Sequence, residues 1–213
     1  MSDFDLILYD LDGTIWDSIP TIMQCFKHAY IEVLGSCNRS DEDFKSYIGK
    51  PLPETFAMHD DKTAQALLDS YLSVNKVLLE SDAVPLFDGV MEELEKIKKL
   101  GIPQGYVTSK RKVSAGTTLR LKGLEDFFDV RICKEDTASH KPNPEPLIHA
   151  AKLCGIEDMK RIIYIGDAVV DALCAKNAGT CFALVEWSTM DKDAVMAAAP
   201  SGSRIISRFT DVL

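Results

Sequence analysis

Asp10 and Asp12 stand two positions apart at the end of a short apolar run, Leu6-Ile7-Leu8-Tyr9. In extended chain, side chains two apart point to the same side, about 7 Å from one another. Two carboxylates held that way repel each other unless a cation sits between them or one keeps its proton. Either outcome is useful chemically. A divalent cation would take hard oxygen ligands, and magnesium takes only one or two carboxylates, keeping sites for water and phosphate oxygens. Asp167, at another strand end, offers a further ligand, and Asp171 follows one helical turn later on the same side. Gly13 permits a sharp turn after the second carboxylate, into Thr14. The Thr108 hydroxyl, the backbone amides around Ser109 and the Lys141 ammonium could cradle phosphate oxygens.

These residues need a scaffold that brings distant segments to one edge. Strand-length apolar runs occur at Leu6 to Tyr9, Gln104 to Thr108, Val130 to Cys133, Ile162 to Ile165 and Cys181 to Val185, with Arg204-Ile205-Ile206 as a further one. Helical patterns lie between them. Val90, Leu94, Ile97 and Leu100 repeat at helical spacing, with Asp88 expected as N-cap and Gly101 as the stop. Pro146 to Cys154 and Val169 to Ala178 end at Gly155 and Gly179. Alternating strands and helices predict an α/β fold, a Rossmann-like parallel sheet with helices on both faces. Ligands bind such sheets beyond the carboxyl ends of the strands, where Asp10, Thr108 and Asp167 fall.

The segment 18–82 breaks that rhythm. Ile19, Ile22, Met23, Phe26, Tyr30 and Val33 keep helical spacing, Ser40 and Asp43 form a capping-box pattern, and Thr63 to Leu79 continues in helical phase. So long a helical block after the first strand is expected to be an inserted helical cap domain on a core of 1–17 and 83–213. Its hinges are expected at Ile15 to Ile19 and Ser81 to Gly89.

Composition narrows the function class. The 213 residues are 46% hydrophobic and 27% charged, an ordinary globular balance. Lys+Arg 24 against Asp+Glu 33 leaves a net charge of −9, which disfavours nucleic acid as a partner. An anionic substrate must then be drawn in by local cations. No apolar run has the length of a membrane helix, and the acidic start, with Lys27 the first lysine, lacks the basic region of a secretory signal. The cysteines (Cys25, Cys37, Cys133, Cys154, Cys174, Cys181) form no paired motif and are expected as reduced thiols. A cytoplasmic location is expected, with no membrane and no nucleic-acid partner.

Asp10-x-Asp12-Gly13-Thr14 followed by Asp17-Ser18, then Val107-Thr108-Ser109-Lys110, then Lys141-Pro142, then Gly166-Asp167-x-x-x-Asp171 resembles the haloacid dehalogenase superfamily in order and spacing. The phrase Tyr47-Ile48-Gly49-Lys50-Pro51-Leu52 and the stretches Gly123-Leu124-x-x-Phe127-Phe128-Asp129 and Lys141-Pro142-x-Pro144-Glu145-Pro146 look most like its phosphoglycolate phosphatase-like and pyrophosphatase-like branch. The resemblance implies a magnesium-dependent phosphatase acting on a small phosphorylated substrate, as a monomer or weak homodimer. It makes Asp10 the nucleophile and Asp12 the general acid and base. It assigns Mg2+ to the Asp10 and Asp167 carboxylates and the Asp12 backbone carbonyl, and the phosphoryl group to Thr108, Ser109 and Lys141. Asp171 would support the metal shell or orient Lys141. Ala168 departs from the pattern, since relatives often carry Ser or Thr there. A second carboxylate at Asp12 favours phosphoryl chemistry over dehalogenation. An inorganic pyrophosphatase, a β-phosphoglucomutase-like isomerase and a non-catalytic binder on the same fold are the alternatives.

Each residue also has a plainer reading. Asp10 and Asp12 could cap a strand-end turn, Lys141 could be a surface lysine, and Asp171 could serve only the first turn of its helix. Lys50 and Lys110 could meet the far end of a substrate or could be solvated. The histidines His28, His59, His140 and His149 have no ligand spacing, and Trp187 is expected to pack.

Overall fold

The computed structural model describes residues 3–48 and 50–213. Gly49, inside the phrase Tyr47 to Leu52, lies outside the described residues. The strands are β1 (Leu6–Tyr9), β2 (Gln104–Val107), β3 (Val130–Ile132), β4 (Ile162–Gly166), β5 (Cys181–Val185) and β6 (Arg204–Ile206). They form one parallel sheet in the order β3-β2-β1-β4-β5-β6. The chain starts in the middle and winds outward twice, first through β2 to β3 and then from β4 to β6. β1 therefore sits where the strand order reverses, and its carboxyl end opens onto the crevice that open sheets use for ligands.

Side-chain alternation sorts the two faces. Ile7 and Tyr9 of β1 join Tyr106, Ile163, Ile165, Ala183 and Val185 in one core cluster. Leu6 and Leu8 join Val107, Val130, Ile132, Tyr164, Phe182 and Leu184 in the other. Helices α5 (Val90–Lys99) and α6 (Lys112–Leu121) cover the first face, with Val90, Leu94 and Ile97 buried as the periodicity predicts. Helices α7 (Glu145–Leu153), α8 (Val169–Ala178) and α9 (Lys192–Ala198) cover the second. Asp88 does not cap α5. Gly89 holds that position with φ 77° and no side-chain bond, because the tight turn from Phe87 demands a left-handed residue there.

Between β1 and α5 the chain folds into α1 (Ile19–Leu34), α2 (Asp41–Lys45), α3 (Leu52–Thr55) and α4 (Asp61–Glu80). The capping box is present: the Asp43 amide donates to Ser40 Oγ and the Ser40 amide to Asp43 Oδ2. Helix α4 starts earlier than Thr63 because Asp60 accepts from the Thr63 amide and caps it. These helices have a core of their own, built on Phe26 stacked against Phe44 at 5.2 Å and ringed by Tyr30, Tyr47, Phe56 and Tyr71. The chain enters and leaves this helical segment through paired strands of backbone. The Asp17 amide donates to the Pro85 carbonyl at 2.9 Å, and Trp16 bridges Leu86. Among the described residues no helix is long and apolar enough to cross a membrane.

Candidate active site

Asp10 leaves β1 at its carboxyl end, its amide tied to the Ile165 carbonyl of β4, and its side chain is buried. Thr108 leaves β2 and Asp167 leaves β4, so neighbouring strands deliver all of these side chains to one edge. Lys141 comes from the loop before α7 and is buried as well. Its ammonium lies 2.9 Å from Asp10 Oδ1 and 2.6 Å from Asp171 Oδ1. Burial alone would strip its proton, but the two carboxylates reverse that and hold it charged. A surface role for Lys141 is excluded by this geometry.

Asp171 sits in the first turn of α8 and is fully buried. Oδ2 accepts from the backbone amides of Asp167 and Ala168, at 3.3 and 3.1 Å, while Oδ1 takes Lys141. With both oxygens engaged, Asp171 anchors the lysine and the turn at the end of β4. The Ala168 departure leaves this cap intact, because the backbone amide makes the bond. Gly166 fits here for want of room: a Cβ would meet the Asp171 Cβ at 2.6 Å.

Tyr164 is a participant that sequence reading passed over as a strand residue. From β4 its hydroxyl lies 3.1 Å from Lys141 Nζ and 3.1 Å from Asp171 Oδ1, and 2.8 Å from the Val107 carbonyl of β2. One hydroxyl thus fastens the ammonium and its partner to the adjoining strand.

Asp10, Asp167 and Asp171 each place a carboxylate oxygen within 4.8 Å of the others. Asp167 is the outlier among them. Both of its oxygens are buried and neither has a hydrogen-bond partner. Burial pushes its carboxyl well above the usual range, and the charges of Asp171 and Asp10 push further the same way. Burial likewise pushes Asp10 up to about 7, with Lys141 opposing and Asp171 and Asp12 adding. An orphaned buried carboxylate costs several kcal/mol unless something neutralises it. A hard cation between Asp10 and Asp167 would do so. Gly13 keeps the room for this arrangement: it has φ 81°, and a Cβ there would lie 2.2 Å from Asp167 Oδ2. Ser188 Oγ donates to the Asp167 backbone carbonyl at 2.7 Å.

Asp12 stands apart from the carboxylate cluster. Rather than sharing a cation with Asp10, its carboxylate accepts from Trp16 Nε1 at 2.8 Å and Ser18 Oγ at 2.6 Å, and pairs with Lys110 Nζ at 2.9 Å. The sharp turn at Gly13 carries the chain around so that Trp16 and Ser18 reach back to Asp12. A contribution of Asp12 to the cation would come through its backbone carbonyl. Burial raises its pKa, but Lys110, Ser18 and Trp16 outweigh that and hold the carboxyl below its ordinary value. Lys110 is therefore no solvated residue; it clamps Asp12 at the cavity floor.

Thr108 is buried and lines the cavity, its Oγ1 accepting from the Lys110 amide at 3.2 Å. Ser109 lines the same cavity. Thr14 is buried, its carbonyl accepting from Trp187 Nε1 at 3.2 Å. Trp187 packs on Phe87 and Phe209. Lys50 is exposed at the cavity rim. The cavity measures about 610 Å³, with Asp10, Asp12, Thr108 and Lys141 on one wall and the helical segment on the other. All six cysteines are free thiols.

A profile of the haloacid dehalogenase-like hydrolase family matches residues 7–185. A pyrophosphatase named PpaX from Bacillus velezensis (strain DSM 23117 / BGSC 10A6 / LMG 26770 / FZB42) is 31% identical over 208 residues, 97% of this chain and 94% of that protein. A solved structure from Bacteroides fragilis, described as haloacid dehalogenase-like, superposes with a TM-score of 0.87 at 29% identity, covering 99% of this chain and 100% of the other. A predicted phosphoglycolate phosphatase from Haemophilus somnus 129pt superposes with a TM-score of 0.85 over 100% of this chain and 97% of its own, and at 20% identity that likeness concerns the fold alone. Fold, strand-end residues and these matches agree: the chain belongs to the haloacid dehalogenase-like hydrolase family.

Proposed function

We propose that this protein is a magnesium-dependent phosphatase that cleaves a small phosphorylated metabolite through an aspartyl-phosphate on Asp10. The observation that carries the reading is the buried, unpartnered carboxylate of Asp167 beside Asp10, at the floor of a cavity that also holds Lys141 and Thr108. Asp10, Asp167 and the backbone carbonyl of Asp12 would hold Mg2+, which when bound screens the charge between carboxylate and phosphate.

In the first half-reaction an Asp10 oxygen bonds to phosphorus as the bond from phosphorus to the leaving oxygen breaks, and Asp12 gives its proton to that oxygen. In the second, Asp12 takes a proton from water, the water oxygen bonds to phosphorus, and the bond to Asp10 breaks. Lys141 and the Thr108 hydroxyl stabilise the phosphoryl oxygens. In the structure Asp12 is held as an anion by Lys110, the state the water step needs. Transfer of Lys110 to a phosphoryl oxygen would lift that restraint and let Asp12 carry the proton for the first step. The helices of 18–82 act as a cap that excludes water and selects the substrate.

Pyrophosphate is a second reading, favoured by the name of the PpaX relative. Phosphate release over a panel of p-nitrophenyl phosphate, phosphoglycolate, pyrophosphate, hexose phosphates and nucleotides, with magnesium and then with EDTA, tests the proposal. Release that requires magnesium is expected. Phosphate shifted within a sugar without release would point to a mutase instead.

A further inference from the structure

The cavity is bipolar, and its second wall differs in kind from its first. Opposite the charged floor, Ile22 of α1, Leu52 of α3, and Leu68 and Leu72 of α4 each present a partly exposed apolar side chain to it. They come from separate helices yet converge on one surface, backed by the aromatic cluster around Phe26 and Tyr71. Polar groups on that side, Thr55, Gln65, Asp69, Asn75 and the tyrosines Tyr47 and Tyr71, stand around these four. Further charged groups line the cavity, Lys50, Asp69, Lys134 and Arg111, the last facing Glu135 at 3.8 Å.

Volume points the same way. About 610 Å³ falls in the range of roughly 300–1,000 Å³ that suits organic ligands of drug-like size. Pyrophosphate, two phosphoryl groups sharing an oxygen, would leave most of it empty. A second anion set against Ile22, Leu52, Leu68 and Leu72 would also lose hydration to apolar surface, while the buried cations Lys141 and Lys110 lie at the floor, beside Asp10 and Asp12. A carbon-rich group on that wall would instead release water from apolar surface on both sides.

We infer that the substrate is a phosphomonoester whose leaving alcohol is a carbon-rich body, a ring or a chain of several carbons, seated on Ile22, Leu52, Leu68 and Leu72. This rests on the phosphatase reading above and extends it from the floor of the site to its roof. Phosphoglycolate and pyrophosphate are then poor substrates.

The test is kcat/KM for n-alkyl phosphates from methyl to hexyl and for phenyl phosphate, beside phosphoglycolate and pyrophosphate, all with magnesium. Burying a methylene stabilises by about 0.8 kcal/mol, so a two- to fourfold rise per methylene is expected over the first several carbons. Hexyl and phenyl phosphate should exceed pyrophosphate and phosphoglycolate by at least roughly tenfold. Leu68→Asn should shrink the gain per methylene, and calorimetric binding of hexyl phosphate to the Asp10→Asn protein should be tighter than that of methyl phosphate. A flat alkyl series, or pyrophosphate or phosphoglycolate ahead, overturns the inference and leaves the phosphatase reading standing. No phosphate from any compound overturns that reading, and this inference with it.

Discussion

The strand ends of the sheet and the helices of 18–82 face each other across one cavity, but they are built on opposite principles. At the strand ends, charged side chains are buried at short distances and fix one another: Lys141 between Asp10 and Asp171, Lys110 on Asp12. Removing one partner there leaves another buried charge uncompensated, so each position is tightly specified. The helical segment is held by an aromatic cluster, Phe26 and Phe44 with their tyrosine neighbours, and turns aliphatic groups toward the cavity. Such a surface tolerates exchange of one apolar residue for another of like volume. On the proposed reading, chemistry would then rest on closely coupled charges and selectivity on more exchangeable apolar groups.

The comparison can be pressed with substitutions, taken from the largest effect down. Asp12→Ala should lower kcat by roughly 10²–10⁴-fold, the usual contribution of a general acid–base group, as read by steady-state phosphate release. A variant within twofold of the parent would remove Asp12 from the mechanism. Tyr164→Phe takes away a hydroxyl that touches no substrate. A hydrogen bond to a charged group contributes about 1.5–3 kcal/mol, so a fall of roughly tenfold or more in kcat is expected. As a positioning residue it should change kcat more than KM and alter the pH profile of kcat. Equal loss in both constants with an unchanged profile would assign it to stability alone.

Metal and pH act on stability rather than on turnover, and locate that effect in the sheet edge. In the metal-free protein Asp10 is raised from 3.8 to about 7, and Asp167 is raised as well. The unfolded chain then loses these protons at lower pH than the folded one. The Asp10 contribution to stability falls as pH climbs from about 4 to 7, and the raised Asp167 acts in the same direction. Magnesium, which prefers the ionised carboxylates, should raise Tm more at pH 8 than at pH 5.5. At a hundredfold excess over Kd it adds about 2.7 kcal/mol, or roughly 5–10 °C in a chain of this size. Thermal melts with and without EDTA at the two pH values check this, and a metal-induced shift independent of pH would contradict it.

The same contrast explains what could be read before the fold was known. The strands were visible as apolar runs between turn residues, and the parallel sheet followed from their alternation with helices. Asp10, Thr108 and Asp167 were legible because each terminates such a run. Distances were not: nothing local in the sequence says that Asp12 turns away toward Trp16, Ser18 and Lys110, since that depends on the positive φ at Gly13 and on a loop 98 residues further on. Asp171 shows how two readings can merge, for it serves the first turn of α8 and anchors Lys141 at once. Tyr164 was hidden because a tyrosine in a buried strand has the same pattern whether or not its hydroxyl is used. The short helix α3 and the capless start of α5 were set by turns rather than by periodicity.

The central claim is that Asp10 carries the phosphoryl group. The most direct test is to quench the protein in acid during turnover of p-nitrophenyl phosphate with magnesium and to locate any phosphoryl adduct by peptide mass spectrometry. A single adduct on Asp10, lost in Asp10→Asn together with at least roughly 10³-fold of the activity, is the predicted result. Steady turnover with no adduct, or with one on another residue, would contradict the account.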